Sequence, residues 1–152
     1  MFETRTATVG DAALISAHRR AMFEDMGGIS GAALNAMTRN FEPWVARMLA
    51  ENKYMGWITE VEGRPVASAG LLVLDWPPHP FDPEGEQRGY LLNVFVDAEF
   101  RRQGLVERCL AEAHGRGVRV VALHSSDAGR SIYEAQGFRA TNEMLHVERL
   151  EG

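Results

Sequence analysis

The sequence predicts an α/β or α+β fold, and three observations carry that expectation. The spacing of apolar residues switches several times between the period of a strand and that of a helix, which implies alternating elements. Two short and almost wholly apolar runs, residues 90–96 and 118–123, read as strands buried on both faces. With 152 residues, 45% of them hydrophobic and 24% charged, the chain can bury one ordinary soluble core, so residues 1–152 are expected to form a single domain.

Residues 2–9 read as a short strand. Asp11 is then expected to N-cap a helix carrying Leu14, Ile15, His18, Ala21 and Met22 on one side and ending near Gly27-Gly28. A second helical region follows Ser30, with Leu34, Met37, Phe41, Trp44, Val45, Met48 and Leu49 at intervals of three and four. Pro43 falls inside it and should break, kink or restart it, giving two pieces or one bent helix. Residues 54–61 and 64–75 are strand-like and are joined by Glu62-Gly63, a tight-turn signal, so they should form a hairpin. Residues 76–87 contain four of the six prolines and are expected to be a loop.

Within the apolar run 90–96, Asn93 is the polar exception. A helix over about 102–114 should gather Leu105, Val106, Cys109, Leu110 and Ala113 on one stripe and stop at Gly115. After the strand at 118–123, Ser126 or Asp127 can cap a short helix to Gln136, with Gly137 as its left-handed exit. A final strand is expected from about 139 to 150.

The formal net charge of -5 argues against nucleic acid as the main partner, because phosphate binding along a polymer needs a broad basic surface. Any anion site must be local. All sixteen basic residues except Lys53 are arginine, which supplies planar fork donors but also fits a simple compositional bias. The single cysteine, Cys109, excludes an internal disulfide framework. Met1-Phe2-Glu3-Thr4-Arg5 has no signal-like apolar run and no stretch is long enough to span a membrane, so a reduced, cytoplasmic location is expected. No Cys or His pair has metal-ligand spacing, and no metal is expected.

The segment Asp97-Ala98-Glu99-Phe100-Arg101-Arg102-Gln103-Gly104-Leu105-Val106 runs from a strand through a turn into a helix start. Such a start exposes unpaired backbone N–H groups and a partial positive charge. Gly104 lets an anion approach the backbone, and Arg101 and Arg102 add positive charge, which together suit a diphosphate. The same residues also fit an ordinary helix start with two solvated arginines.

The choice turns on a second segment, Ser125-Ser126-Asp127-Ala128-Gly129-Arg130-Ser131-Ile132-Tyr133-Glu134-Ala135-Gln136-Gly137-Phe138. Val94-Phe95-Val96 followed by R-R-Q-G-L-V, with A-G-R-S-I-Y-E-A-Q-G-F some two dozen residues later, resembles the two cofactor motifs of the GNAT superfamily of N-acetyltransferases. The motifs cover residues 90–138, and the preceding order of elements also fits. The resemblance implies an α+β, three-layer fold: a mixed, mostly antiparallel central sheet flanked by about four helices, in which the parallel strands near 90–96 and 118–123 splay apart to admit acetyl-CoA. No other cofactor is implied.

By that resemblance, Arg102, Gln103, Gly104, Leu105 and Val106 hold the pyrophosphate through backbone N–H groups, and Arg101 beside them also belongs to the cofactor site. Val94, Phe95 and Val96 pair with the pantetheine arm, and an N–H near Phe95 or Val96 polarises the thioester carbonyl. Ser126 stands on the second cofactor motif. Val106 departs from the small residue usual there, which implies looser phosphate contact. Ser126 and Gly129 also replace the frequent asparagine and alanine. Tyr133 lies where the family commonly has the tyrosine that protonates the coenzyme A thiolate; packing against Gly137-Phe138 is the other role open to it.

The acceptor implied is a primary amine on a small molecule or peptide, with no nucleic-acid or membrane partner, and a homodimer is common in the family. Asn93 cannot be a base, but it could position water or bind the substrate amide, or it could be a buried polar residue satisfied by its neighbours. Glu24 and Asp25, near the end of the first helix, are candidates for binding the amine cation. His18 is read as a packing histidine. His79 is read as an exposed loop residue, and His124 could face either way. Cys109 is read as inert core. A non-catalytic acyl-CoA-binding module is the alternative function, and a structural domain docking a partner through residues 76–87 is a third.

Overall fold

The computed structural model describes residues 1–97, 99–100, 104–127 and 129–148. Five strands form one mixed sheet in the order β1-β2-β3-β4-β5. They are β1 (Phe2–Thr6), β2 (Tyr54–Val61), β3 (Arg64–Asp75), β4 (Gln87–Val96) and β5 (Val121–Leu123). The first four pair antiparallel in sequence, and β5 joins β4 in parallel. Four helices accompany them: α1 (Ala12–Met26), α2 (Gly31–Ala50), α3 (Leu105–Gly115) and α4 (Arg130–Glu134).

Alternation along the strands divides the core in two, as a period of two requires. Met55 and Trp57 of β2 and Ala67, Ala69 and Leu71 of β3 pack with Leu105, Val106, Cys109 and Ala113 of α3. Tyr54 and Ile58 of β2 turn the other way, onto Ala12 and Ile15 of α1 and Phe41 and Val45 of α2. The stripe expected on α3 is therefore the one it buries. Burial pushes the Cys109 thiol up to about 12, so it is inert core.

The β2–β3 hairpin has the expected ends, with Glu62 and Gly63 both at positive φ in the connecting turn. Ser30 N-caps α2 by accepting from the Ala33 N–H at 3.1 Å. Pro43 does not divide α2, which is one helix of 20 residues. Pro43 and Arg39 are both exposed, so the carbonyl that loses its partner lies on the wet side, where water satisfies it. Asp11 precedes α1 but makes no side-chain cap to it. Its carboxylate instead accepts from the Thr8 N–H at 2.7 Å and from both terminal nitrogens of Arg5, which holds it below the usual carboxylate range.

Toward the C-terminus the elements are shorter than expected. β5 has three residues, and α4 ends before Gln136, with Gly137 at φ +93 after it. The strand expected over 139–150 is absent from the described residues 139–148. Its apolar residues find no sheet face: Met144, Leu145 and Val147 are 91%, 75% and 76% exposed. Strand-forming side chains alone cannot satisfy a strand's N–H and C=O groups without a neighbour.

Candidate active site

β4 and β5 pair only at Gly89↔Val121, Tyr90↔Ala122 and Leu91↔Leu123. β5 stops at Leu123 while β4 runs on to Val96, so among the described residues the edge of β4 beyond Leu91 has no strand beside it. That edge is also bulged. Asn93 and Val94 of β4 stand opposite Ala69 alone, between the pairs Gly70↔Leu92 and Ser68↔Phe95. Asn93 takes the left-handed conformation, φ +54. A bulge leaves an extra residue out of the ladder and re-aims its neighbours. The parting opens a cleft of about 550 Å³ between α1, β4, the end of β5 and α4.

Val94, Phe95 and Val96 line this cleft, as do Asn93, Asp25, Ser126 and Tyr133. The positions expected to touch cofactor and acceptor on those elements are thus brought together. Glu24 is not among them. It is exposed and paired with Arg20 Nε at 3.3 Å, because one residue of α1 is a rotation of about 100°. Arg101, Arg102 and Gln103 lie outside the described residues.

Gly104 starts α3 from φ +73, a conformation that costs a side-chain-bearing residue strain. Leu105 and Val106 follow with fully buried side chains in the core against β3. Whatever these two offer a ligand comes from their backbone N–H groups, which an α-helix leaves unpaired in its first turn. A valine at 106 therefore does not itself intrude on that turn.

Ser126 Oγ accepts from the Gly129 N–H at 3.2 Å, closing the turn into α4. Tyr133 sits on α4 with its ring edge-on to Phe138, centroids 5.9 Å apart. It combines the packing contact with a place on the cleft wall.

Behind the bulge is a buried polar network. Asn93 Nδ2 donates to the Tyr54 hydroxyl at 3.1 Å, and Asn93 Oδ1 accepts from Arg19 Nη1 at 2.7 Å. The partners are side chains from β2 and α1 rather than neighbouring backbone. Burial raises the Tyr54 pKa and outweighs the Asn93 hydrogen bond, which lowers it, so the phenol stays neutral. Its hydroxyl fits only because residue 70 is glycine: an added Cβ there would come within 2.0 Å of it.

His18 is buried with Nδ1 2.6 Å from Ser68 Oγ, and its ring stacks on Phe95 with centroids 4.1 Å apart. Desolvation pushes its pKa down to about 4. It packs, as expected, and it also fixes the ring of a cleft residue.

His124 lines the cleft, hydrogen-bonded to the Tyr90 hydroxyl, with Glu143 3.9 Å from its other nitrogen. His79 is elsewhere, in the proline-rich loop facing a separate hollow of about 400 Å³ across β5. No group of three or more His, Cys, Asp or Glu side chains suited to a metal ion occurs among the described residues. No helix among them is long and apolar enough to cross a membrane.

Sequence reasoning missed Arg19, Tyr54, Gly70 and Tyr90. Only the glycine, interrupting the strand residues 64–75, offered a local signal of close approach.

A mixed sheet opened between parallel strands beside a helix start is an architecture this chain shares with acetyltransferases of known structure. Residues 17–138 match the Acetyltransferase (GNAT) family, and the chain belongs to that family. It is 37% identical to a GCN5-related N-acetyltransferase from Ralstonia eutropha JMP134, with a TM-score of 0.92 over 97% of this chain and 99% of that one. A predicted acetyltransferase from Clostridium acetobutylicum, solved with acetyl-CoA, is 25% identical, with a TM-score of 0.87 over 97% and 96% of the two chains. Human N-acetyltransferase 8 is 32% identical over 103 residues, which are 62% of this chain and 43% of that protein. The match thus spans less than half of that curated relative.

Proposed function

We propose that the protein transfers the acetyl group of acetyl-CoA to a primary amine of a small molecule or peptide, by direct attack in a ternary complex. The observation that carries this reading is the parting of β4 and β5 at Leu91–Leu123, which leaves the bulged edge of β4 open beside the start of α3. Family membership supports it, as does the acetyl-CoA held by the Clostridium relative.

In this reading the pantetheine amides add to the open edge at Val94–Val96 as an extra strand would. The pyrophosphate lies at the N-terminus of α3, on the N–H groups of Gly104, Leu105 and Val106, with Arg101, Arg102 and Gln103 just before them. Ser126 shapes the opposite wall. An N–H of Phe95 or Val96 donates to the thioester oxygen as it gains charge.

The amine must be neutral to attack, and it forms the C–N bond as the C–S bond breaks. Its proton passes to the His124 imidazole, a base of suitable type at the cleft wall. The departing thiolate takes a proton from the Tyr133 hydroxyl, an O–H donor on the cleft wall. Asp25 holds the incoming ammonium group near the cleft mouth, and Asn93 keeps the bulge in shape. Cys109, buried in the core, is excluded as an acetylated intermediate.

The test is calorimetric titration with coenzyme A, followed by thiol release from acetyl-CoA over a panel of amines. Binding and turnover are expected, with turnover reduced by Tyr133→Phe. Absence of coenzyme A binding would overturn the reading, and binding without turnover on any amine would favour an acyl-CoA-binding module.

A further inference from the structure

The cleft contains a cation with no ion-pair partner among the described residues. Arg19 lines the wall formed by α1, with its guanidinium 5.1 Å from the ring centre of Phe23 and 4.9 Å from that of Phe41. Nη1 donates to Asn93 Oδ1, a neutral acceptor, and Nε is buried with no hydrogen-bond acceptor among the described residues. Arg19 forms no ion pair among the described residues. Desolvation lowers its pKa, the mark of a charge held partly out of water. Folded chains usually pair such a charge, because an uncompensated one is costly. The omission is notable in a protein of net charge -5, where acids are plentiful.

Arg19 is the only Arg or Lys among the described residues lining the cleft, and Asp25, six residues further along α1, is the only Asp or Glu. Met22, Phe23 and Met26 lie on the same wall. This arrangement suits a molecule with an oxyanion at one end, an ammonium group and an apolar body.

Resting on the acetyl-transfer reading, we propose that the acceptor is an amine that also carries a carboxylate or a phosphate, and that Arg19 is the residue that selects it by pairing with that oxyanion. An oxyanion on the guanidinium supplies the missing countercharge. Binding it in a site screened from water by Phe23 and Phe41 rewards the acceptor that brings the charge and penalises one that leaves Arg19 unpaired.

The experiment uses two matched pairs of amines: phenylalanine against phenylalaninamide for a carboxylate, and O-phosphoethanolamine against ethanolamine for a phosphate. Affinity is measured by calorimetry on the coenzyme A complex, and kcat/KM by thiol release. In the wild type, the anionic member of at least one pair should be preferred by about 10- to 100-fold, the worth of a charged hydrogen bond. The pair that shows the preference identifies the oxyanion. Arg19→Met should bring that ratio close to one, whereas Arg19→Lys should keep part of it.

A purely structural role for Arg19, holding Asn93 in place, would lower both members of a pair alike and leave the ratio untouched. That outcome, or a wild type indifferent to the anionic group in both pairs, overturns the assignment. Failure to bind coenzyme A would instead overturn the acetyl-transfer reading and this inference with it.

Discussion

The two halves of β4 differ in function potential although both are apolar and belong to one strand. From Gly89 to Leu91 it is paired on both sides, with β3 and with β5. From Leu92 to Val96 it keeps β3 but loses β5, acquires a bulge and turns through Asn93 in the left-handed region. The first half holds the sheet together. The second faces a cleft, with a buried network of side chains behind its bulge, so it is the lack of a partner strand among the described residues, rather than any special residue type, that opens the sheet here.

The sharpest way to break the contrast is at the glycines beside each half. Gly70→Ala would place a Cβ 2.0 Å from the Tyr54 hydroxyl and 2.3 Å from its ring. Tyr54 is fully buried and cannot retreat, so about 3 kcal/mol of stability should be lost, together with the Asn93 contact. Gly89→Ala meets methyl groups of Leu71 and Val121 at 3.1 Å and of Val118 at 3.7 Å, which can give by a few tenths of an ångström, and should cost about 1 kcal/mol. Denaturant unfolding of both variants checks the order; equal losses would mean that the bulged half is no more tightly specified than the paired one.

Next in size is the chemistry assigned to the open side. Tyr133→Phe keeps the ring and its packing on Phe138 but removes the proton donor, so kcat should fall about 100-fold with little change in the KM for acetyl-CoA. A rise in that KM at constant kcat would make Tyr133 a packing residue alone.

A smaller effect separates the start of α3 from an ordinary turn. Gly104 and Gly117 sit at φ +73 and +78, so alanine at either should cost about 1 kcal/mol of stability. Only Gly104→Ala should also weaken coenzyme A binding, because only Gly104 is next to the N–H groups proposed to hold the pyrophosphate. Paired melting and calorimetry experiments distinguish the two sites.

The smallest prediction concerns His18 beneath Phe95. Its folded pKa of about 4 lies below the ordinary value of 6.5, so the folded state disfavours its protonation. Its contribution to stability is complete above about pH 6.5 and is lost as the pH falls toward 4, where the unfolded chain binds the proton more readily. His18→Asn should flatten that part of the stability profile relative to wild type, as read by thermal unfolding at successive pH values.

Much of this architecture was legible in the sequence because it is locally encoded. The hairpin is written in two apolar runs around Glu62-Gly63, the start of α2 in Ser30, and the inward face of α3 in Leu105, Val106, Cys109 and Ala113. Val94, Phe95, Val96, Ser126 and Tyr133, which line the cleft, were legible for the same reason, since they stand in two contiguous motifs.

What escaped depends on distance in the chain. Arg19 meets Asn93 across 74 residues and Tyr54 lies over Gly70 on the next strand, and no local pattern announces either contact. The orientation of α1 decided between Glu24 and Asp25, and it is set by packing on α2 and the sheet. Residues 139–148 have strand-like side chains but no strand to pair with among the described residues, which local pattern cannot reveal.

The central claim is that acetyl-CoA occupies the parting of β4 and β5, and backbone amide chemical shifts measured during titration with acetyl-CoA test it most directly. The account predicts large shifts at Val94, Phe95, Val96, Leu105 and Val106, with Phe2–Thr6 of β1 unmoved. Saturable binding that leaves those five amides unchanged, or no binding at all, would contradict it.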